Sequence, residues 1–264
     1  MLASVAATTL SWQAGAASSL VAGPVAGRSP LRAAVRAAVD DKAEVEEYFN
    51  NVGFERWNKI YSESDEVNKV QLDIRTGHGV TVDKVLGWVD EDGTAKAGET
   101  FCDAGCGVGS LAIPLAQRGA TVIASDISEA MQTEAASRAA AAGVSERTTF
   151  STSDLEALSG KYDTVTCIDV MIHYPPEKMA EMVKHLGSVA DKRLIISFAP
   201  DTWYYRALKS FGELFPGPSK TTRAYLHKEE AVIAAIESAG LNIKRTEMTG
   251  TNFYFSRLLE ATRD

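Results

Sequence analysis

Several things are scarce in this sequence, and each scarcity narrows its class. Three of the 264 residues are cysteine, Cys102, Cys106 and Cys167, too few and odd in number for a disulfide framework. They read as small buried residues, with a reversible thiol switch at Cys102 or Cys106 as the alternative. The four histidines, His78, His173, His185 and His227, fall at no metal-ligand spacing, so no protein-bound metal is expected. Positive charge is in deficit, 27 Lys and Arg against 35 Asp and Glu for a net charge of −8. That argues against nucleic-acid binding as the main activity. No run is long and apolar enough to span a membrane.

Acidic residues are missing altogether from residues 1–39, which are rich in Ala, Ser, Thr and Gly and close with Arg28, Arg32 and Arg36. This is the composition of an organelle transit peptide. Val35-Arg36-Ala37-Ala38 looks like a plastid processing site, so residues 1–37 are expected to be a plastid transit peptide, with a mitochondrion as second choice. The remainder, in a chain that is 45% hydrophobic and 23% charged, suits one α/β domain with room for an extension.

What is present centres on residues 101–110, Phe101-Cys102-Asp103-Ala104-Gly105-Cys106-Gly107-Val108-Gly109-Ser110. An apolar approach, an acid and three alternate glycines predict a strand that ends in a turn free of side chains, followed by a helix over Ser110–Arg118. Hydride-carrying dinucleotides use G-x-G-x-x-G; here Gly109 comes one position early. Asp103 also points elsewhere, because a carboxylate repels a pyrophosphate but pairs with an ammonium. S-Adenosylmethionine carries an ammonium and no phosphate, and D-x-G-x-G-x-G resembles motif I of the class I, Rossmann-like methyltransferases.

Helical segments are expected over Asp40–Tyr61, interrupted at Gly53, and over residues 76–90. The aromatics of the first (Phe49, Phe54, Trp57, Tyr61) fit either a packed N-terminal helix or a lid over the cofactor. From Thr100 strands and helices alternate, which predicts a doubly wound sheet. Strands are expected at 100–103, 120–125, 148–151, 162–169 and 193–198, then two adjacent strands at 241–248 and 252–259, close enough to be antiparallel. Asp126 ends the second strand about twenty residues past the glycines, where an acid accepts both ribose hydroxyls. Asp154 follows the third strand and His173 the fourth. Asp103, Asp126, Asp154 and His173 thus fall at one edge of the sheet, where ligands of such folds bind.

Segments outside the shared motifs carry a narrower resemblance. Tyr48–Trp57, Asp73-Ile74-Arg75-Thr76-Gly77-His78, Ile172-His173-Tyr174-Pro175, Gly217–Lys220, Thr222–Leu226 and Phe253–Leu259 resemble the magnesium-protoporphyrin IX O-methyltransferase family of chlorophyll biosynthesis. The resemblance implies a seven-stranded Rossmann-like class I sheet over residues 98–264. It also implies an N-terminal helical lid over 38–97 and an aromatic insertion after the fifth strand at 199–225. The implied reaction moves a methyl group from S-adenosylmethionine to a propionate of magnesium protoporphyrin IX. Cofactor contacts are expected at Asp103, Ala104, Gly105, Gly107, Gly109, Asp126, Ile127, Asp154, Leu155 and Ile168. His173 and Tyr61 are the candidate catalytic residues. Tyr174, Trp203, Lys220, Arg223 and Arg257 are the candidates for the flat, acidic substrate, which wants aromatic walls and cations at its rim. The porphyrin-binding subunit of magnesium chelatase is an implied partner, and the implied location is the chloroplast stroma, in peripheral contact with envelope or thylakoid membrane. Two other readings stand beside this one: a class I methyltransferase acting on another small acceptor, and a non-catalytic carrier of tetrapyrrole or methyl donor.

Overall fold

The computed structural model describes residues 46–61, 67–203, 205–206 and 224–263. The expectations for residues 1–37, Lys220 and Arg223 lie outside the described residues. Residues 46–50 are helical, and helix α1 (Val52–Ile60) follows. Helix α2 (Lys69–Asp92) is longer than its apolar periodicity indicates. Its start is set by a capping box: Asn68 accepts from Gln71 N–H at 2.9 Å and Gln71 returns a side-chain oxygen to Asn68 N–H at 3.0 Å. Leu72 and Val80 are exposed, which blurs the pattern in the first turns. Gly93, at φ 60°, ends the helix in the left-handed conformation that glycine adopts without strain.

The sheet contains β1 (Thr100–Ala104), β2 (Thr121–Asp126), β3 (Thr148–Thr152), β4 (Tyr162–Cys167), β5 (Ala190–Phe198), β6 (Asn242–Gly250) and β7 (Phe255–Thr262). Their order is β3-β2-β1-β4-β5-β7-β6. The first five are parallel, while β7 runs antiparallel to both its neighbours. Helices α3 (Ala112–Gln117), α4 (Glu129–Ala141), α5 (Pro176–Val189) and α6 (Glu229–Ser238) make the crossovers and the covering layers. α3 begins two residues later than expected, because Gly109 extends the turn.

Both faces of the central strands are covered. On one side Met179, Val183 and Leu186 of α5 pack with Val232 and Ile236 of α6 against Leu194 and Ile196 of β5. On the other, Val85 and Val89 of α2 join Leu115 of α3 against Phe101 and Val122. The second half of α2 is therefore part of the core. Strand order reverses between β1 and β4, and the crevice of a doubly wound sheet opens there, at the carboxyl ends of the strands.

Candidate active site

β1 delivers its chain to Gly105, Gly107 and Gly109, at φ 78°, 53° and 84°. At Gly105 the requirement is also spatial, since a Cβ would lie 2.3 Å from Val170 Cγ2. Gly105 and Cys106 N–H both donate to Ser125 O of β2, at 2.7 and 2.9 Å, which pins the turn to its neighbour. Asp126 completes the lock. Its Oδ2 accepts from Gly107 N–H at 3.0 Å and its Oδ1 from Ser128 N–H at 2.9 Å. The carboxylate still has acceptor capacity to spare.

Under the turn, Asp103 is 2% exposed. Its Oδ1 accepts from Thr166 Oγ1 at 2.8 Å, while Oδ2 is buried with no partner among the described residues. Burial pushes its carboxyl up to about 6. An orphaned buried carboxylate oxygen is a place for a positive ligand group.

A cavity of about 360 Å³ opens over these strand ends, within the range of small-molecule sites. Of the expected cofactor residues, Gly105, Gly107, Asp126, Ile127, Asp154, Leu155 and Ile168 line it. Asp103, Ala104 and Gly109 sit behind the wall rather than on it. Asp154 caps the short turn of helix at Leu155–Ala157, its Oδ1 accepting from Ala157 N–H at 2.8 Å. Across the cavity lie Phe49, Trp57 and Tyr61 from the N-terminal segment. That segment is tied down by Ser128 Oγ on Phe49 O at 3.0 Å and by Arg138 Nη1 on Tyr61 O at 2.7 Å.

His173 and Tyr174, in the short helix and loop after β4, face the same space. Burial depresses the His173 imidazole to about 4, so it is neutral at neutral pH; its Nδ1 has no partner among the described residues, and its ring stands edge-on to Phe49 at 5.3 Å. Burial, together with the charges of Asp169 and Asp126, raises Tyr61 well above the ordinary phenol range. Burial likewise raises Tyr174. Both keep their protons.

Two substrate candidates are placed elsewhere. Trp203 is 81% exposed and off the cavity wall. Arg257 is also off the wall, its Nε 3.1 Å from Glu229 Oε2. The expectation that Arg257 meets a substrate carboxylate does not match this pairing with α6. The cysteines are all buried, and burial lifts each thiol, that of Cys102 to about 12. None is a ready thiolate, which weighs against the thiol switch.

Sequence reasoning missed the most heavily bonded group in the cavity. Asp169, just past β4, has φ 61°. Its carboxylate takes Tyr254 OH at 2.8 Å, Ser197 Oγ at 3.0 Å, Ser256 Oγ at 3.2 Å and His78 Nδ1 at 2.7 Å. Burial would raise its pKa, but the hydrogen bonds and the His78 neighbour outweigh that and hold it below the usual range. Lys178 of α5, also unforeseen, places a cation at the cavity rim. His78 belonged to a segment that stood out in the sequence, but as an isolated histidine it carried no spacing to interpret.

The comparisons agree with this geometry. The model described as "Methyltransferase domain" matches residues 101–192, and the one described as "Magnesium-protoporphyrin IX methyltransferase C-terminus" matches residues 167–263. The chloroplastic magnesium protoporphyrin IX methyltransferase of Arabidopsis thaliana is 52% identical over 98% of this chain and 85% of its own length. The magnesium-protoporphyrin O-methyltransferase of Synechocystis is 55% identical over 86% of this chain and 98% of its own. A crystal structure of the Synechocystis enzyme with bound S-adenosylhomocysteine covers 85% of this chain and 100% of that one, with 52% identity and a TM-score of 0.76. Its form with bound S-adenosylmethionine gives 48% identity and a TM-score of 0.75, covering 86% and 99%. With a class I strand order, a glycine turn locked by Asp126 and this likeness over nearly its whole length, the chain belongs to the magnesium-protoporphyrin IX methyltransferase family.

Proposed function

We propose that this chain transfers the methyl group of S-adenosylmethionine to a propionate carboxylate of magnesium protoporphyrin IX, forming the monomethyl ester in the chloroplast. The observation that carries this reading is the cavity itself. Residues from segments typical of the family, His78, His173, Tyr174 and Tyr254, share one wall-lined space with the glycine turn and Asp126.

The residues fit the cofactor. The open lone pairs of Asp126 suit ribose hydroxyls, Asp154 and Leu155 on the cavity wall would hold the adenine, and the orphaned oxygen of Asp103 calls for a cation nearby. When bound, S-adenosylmethionine supplies a methyl group on a positively charged sulfur, which an acceptor oxygen takes with its own electron pair. A propionate is ionised at neutral pH, so this chain need not remove a proton. Its work is alignment and exclusion of water. Neutral His173 offers an N–H to orient the acceptor, and Tyr61 offers a protonated hydroxyl from the opposite side. The aromatic wall of Phe49, Trp57 and Tyr174 suits the flat face of the porphyrin.

Incubating the chain with both substrates and reading the product by mass tests the proposal. A porphyrin heavier by one CH₂ supports it; methylation of a different acceptor, or tight porphyrin binding without turnover, would favour one of the other readings. Exposed Phe253 at the cavity and exposed Trp203 support contact with an apolar surface. Delivery by the porphyrin-binding subunit of magnesium chelatase and peripheral membrane attachment in the stroma are part of the same proposal, checked by co-purification and by flotation with galactolipid vesicles. Among the described residues no helix is long and apolar enough to cross a membrane.

A further inference from the structure

We propose that His78, held by Asp169, is a third group on the acceptor: its Nε2–H donates to the carboxylate that receives the methyl group. This rests on the function proposed above and adds a residue to it.

The geometry is that of a backed imidazole. Nδ1 is 2.7 Å from Asp169 Oδ2, whereas Nε2 is buried with no partner among the described residues. Both residues line the cavity, and the Tyr61 ring lies over the imidazole with 4.5 Å between centroids. Charge explains the need. An acceptor carboxylate entering this space meets Asp126, Asp154 and Asp169, all on its walls. Asp169, fixed by four donors, is an anion, and a donor set between two anions makes their approach favourable. His173 is neutral, so it brings no positive charge to this space. An imidazole protonated at both nitrogens gives Nδ1–H to Asp169 and Nε2–H to the acceptor. Dyad and acceptor together then bury one net negative charge instead of two.

The surrounding segment is built to hold this arrangement. Asp73 grips the β6–β7 turn, accepting from Thr251 Oγ1 at 2.6 Å and Phe253 N–H at 2.7 Å. Arg75 donates to Ile60 O at 2.6 Å and Lys59 O at 2.7 Å, fixing the end of α1 that carries Tyr61. Gly77 leaves room for the Tyr254 ring, which a Cβ would meet at 2.3 Å, so that the Tyr254 hydroxyl reaches Asp169. Four residues in one stretch, Asp73, Arg75, Gly77 and His78, thereby set the two walls between which the acceptor must lie.

The test compares two substitutions that split the imidazole. In His78→Asn the amide nitrogen replaces Nδ1 and keeps a donor for Asp169 but leaves nothing at Nε2. In His78→Gln the amide reaches the Nε2 position. The expected result is a fall in kcat of about a hundredfold for the Asn variant, as for loss of one aligned donor, with S-adenosylhomocysteine affinity changed less than about threefold, while Gln recovers on the order of tenfold over Asn. Full activity in the Asn variant would overturn the proposal, as would equal losses of cofactor affinity and turnover. A measurement on the unaltered chain is independent of variant folding: in the magnesium protoporphyrin complex, nitrogen-15 spectra of His78 should show a proton on Nε2 whose coupling and shift report a hydrogen bond to the acceptor, and a weaker bond with the dimethyl ester. An Nε2 without a proton in the diacid complex, or the same signal with diacid and diester, overturns the inference alone. Absence of methyl transfer by the unaltered chain would remove the functional reading, and this inference with it.

Discussion

At the scale of single residues, Asp103 sets stability against binding. Its carboxyl has been pushed up to about 6 by burial, so the folded chain holds that proton more tightly than the unfolded one. Stability is therefore lost as pH rises from about 4 to about 6, by on the order of 3 kcal/mol for a shift of this size, and does not return above it. A cation bound nearby offsets the loss. Asp103→Asn keeps an acceptor for Thr166 and removes the buried charge, so it should raise the melting temperature of the ligand-free chain at pH 7.5 but not at pH 4.5, while weakening S-adenosylhomocysteine binding. Calorimetry at both values checks both halves, and unchanged affinity would mean that Asp103 does not serve the ligand. His173 shows the opposite shift. Its depressed pKa, about 4, means that stability present above about 6.5 is lost as pH falls toward 4, and His173→Gln should flatten that decline. His173→Ala should lower kcat on the order of a hundredfold or more with little effect on cofactor affinity; equal losses in both would mark it as structural. Asp126, Asp154 and His173 were legible in the sequence because each ends a strand or follows one at a readable distance. His78 and Asp169 were not, since their bond joins residues 91 positions apart and neither has a local spacing that announces it.

At the scale of elements, α2 and the β6–β7 hairpin act as one clamp beside the cavity. Two glycines on α2, two residues apart, separate space from propensity. A Cβ at Gly77 meets Tyr254 at 2.3 Å, while one at Gly79 meets nothing within 4 Å. Gly77→Ala should cost about 1–3 kcal/mol and reduce turnover by moving Tyr254 off Asp169. Gly79→Ala should be neutral or stabilise by up to about 1 kcal/mol. Chemical denaturation of the two variants checks the contrast, and equal effects would refute it. The alternation of strands and helices was legible from the glycine turn onward, since buried parallel strands write continuous apolar runs. Boundaries in the last hairpin were less so. Asn242–Gly250 and Phe255–Thr262 run two to three residues past the expected ends, because the turn is held by Asp73, far away in sequence.

At the scale of the whole molecule, a buried ion network ties the N-terminal helices to the far edge of the sheet. Glu260 is fully buried in β7 and accepts from Arg193 of β5 at 2.8 Å; Arg245 of β6 bonds both Glu260 and Asp92 of α2. An acid inside an apolar strand gave no sign of this in the sequence. Glu260→Gln leaves Arg193 poorly compensated and should cost about 3–5 kcal/mol, read as a lower denaturation midpoint; a loss under about 1 kcal/mol would mean the network is dispensable. The same framework holds the glycine turn, the aromatic segment and the Asp169 dyad around one cavity, in which a porphyrin carboxylate is to be methylated. The most direct test supplies the chain with deuteromethyl-labelled S-adenosylmethionine and either magnesium protoporphyrin IX or its dimethyl ester, with mass spectrometry of the pigment. One labelled methyl ester is expected on the diacid and none on the diester. An unlabelled diacid, or label on any atom other than a propionate oxygen, would contradict it.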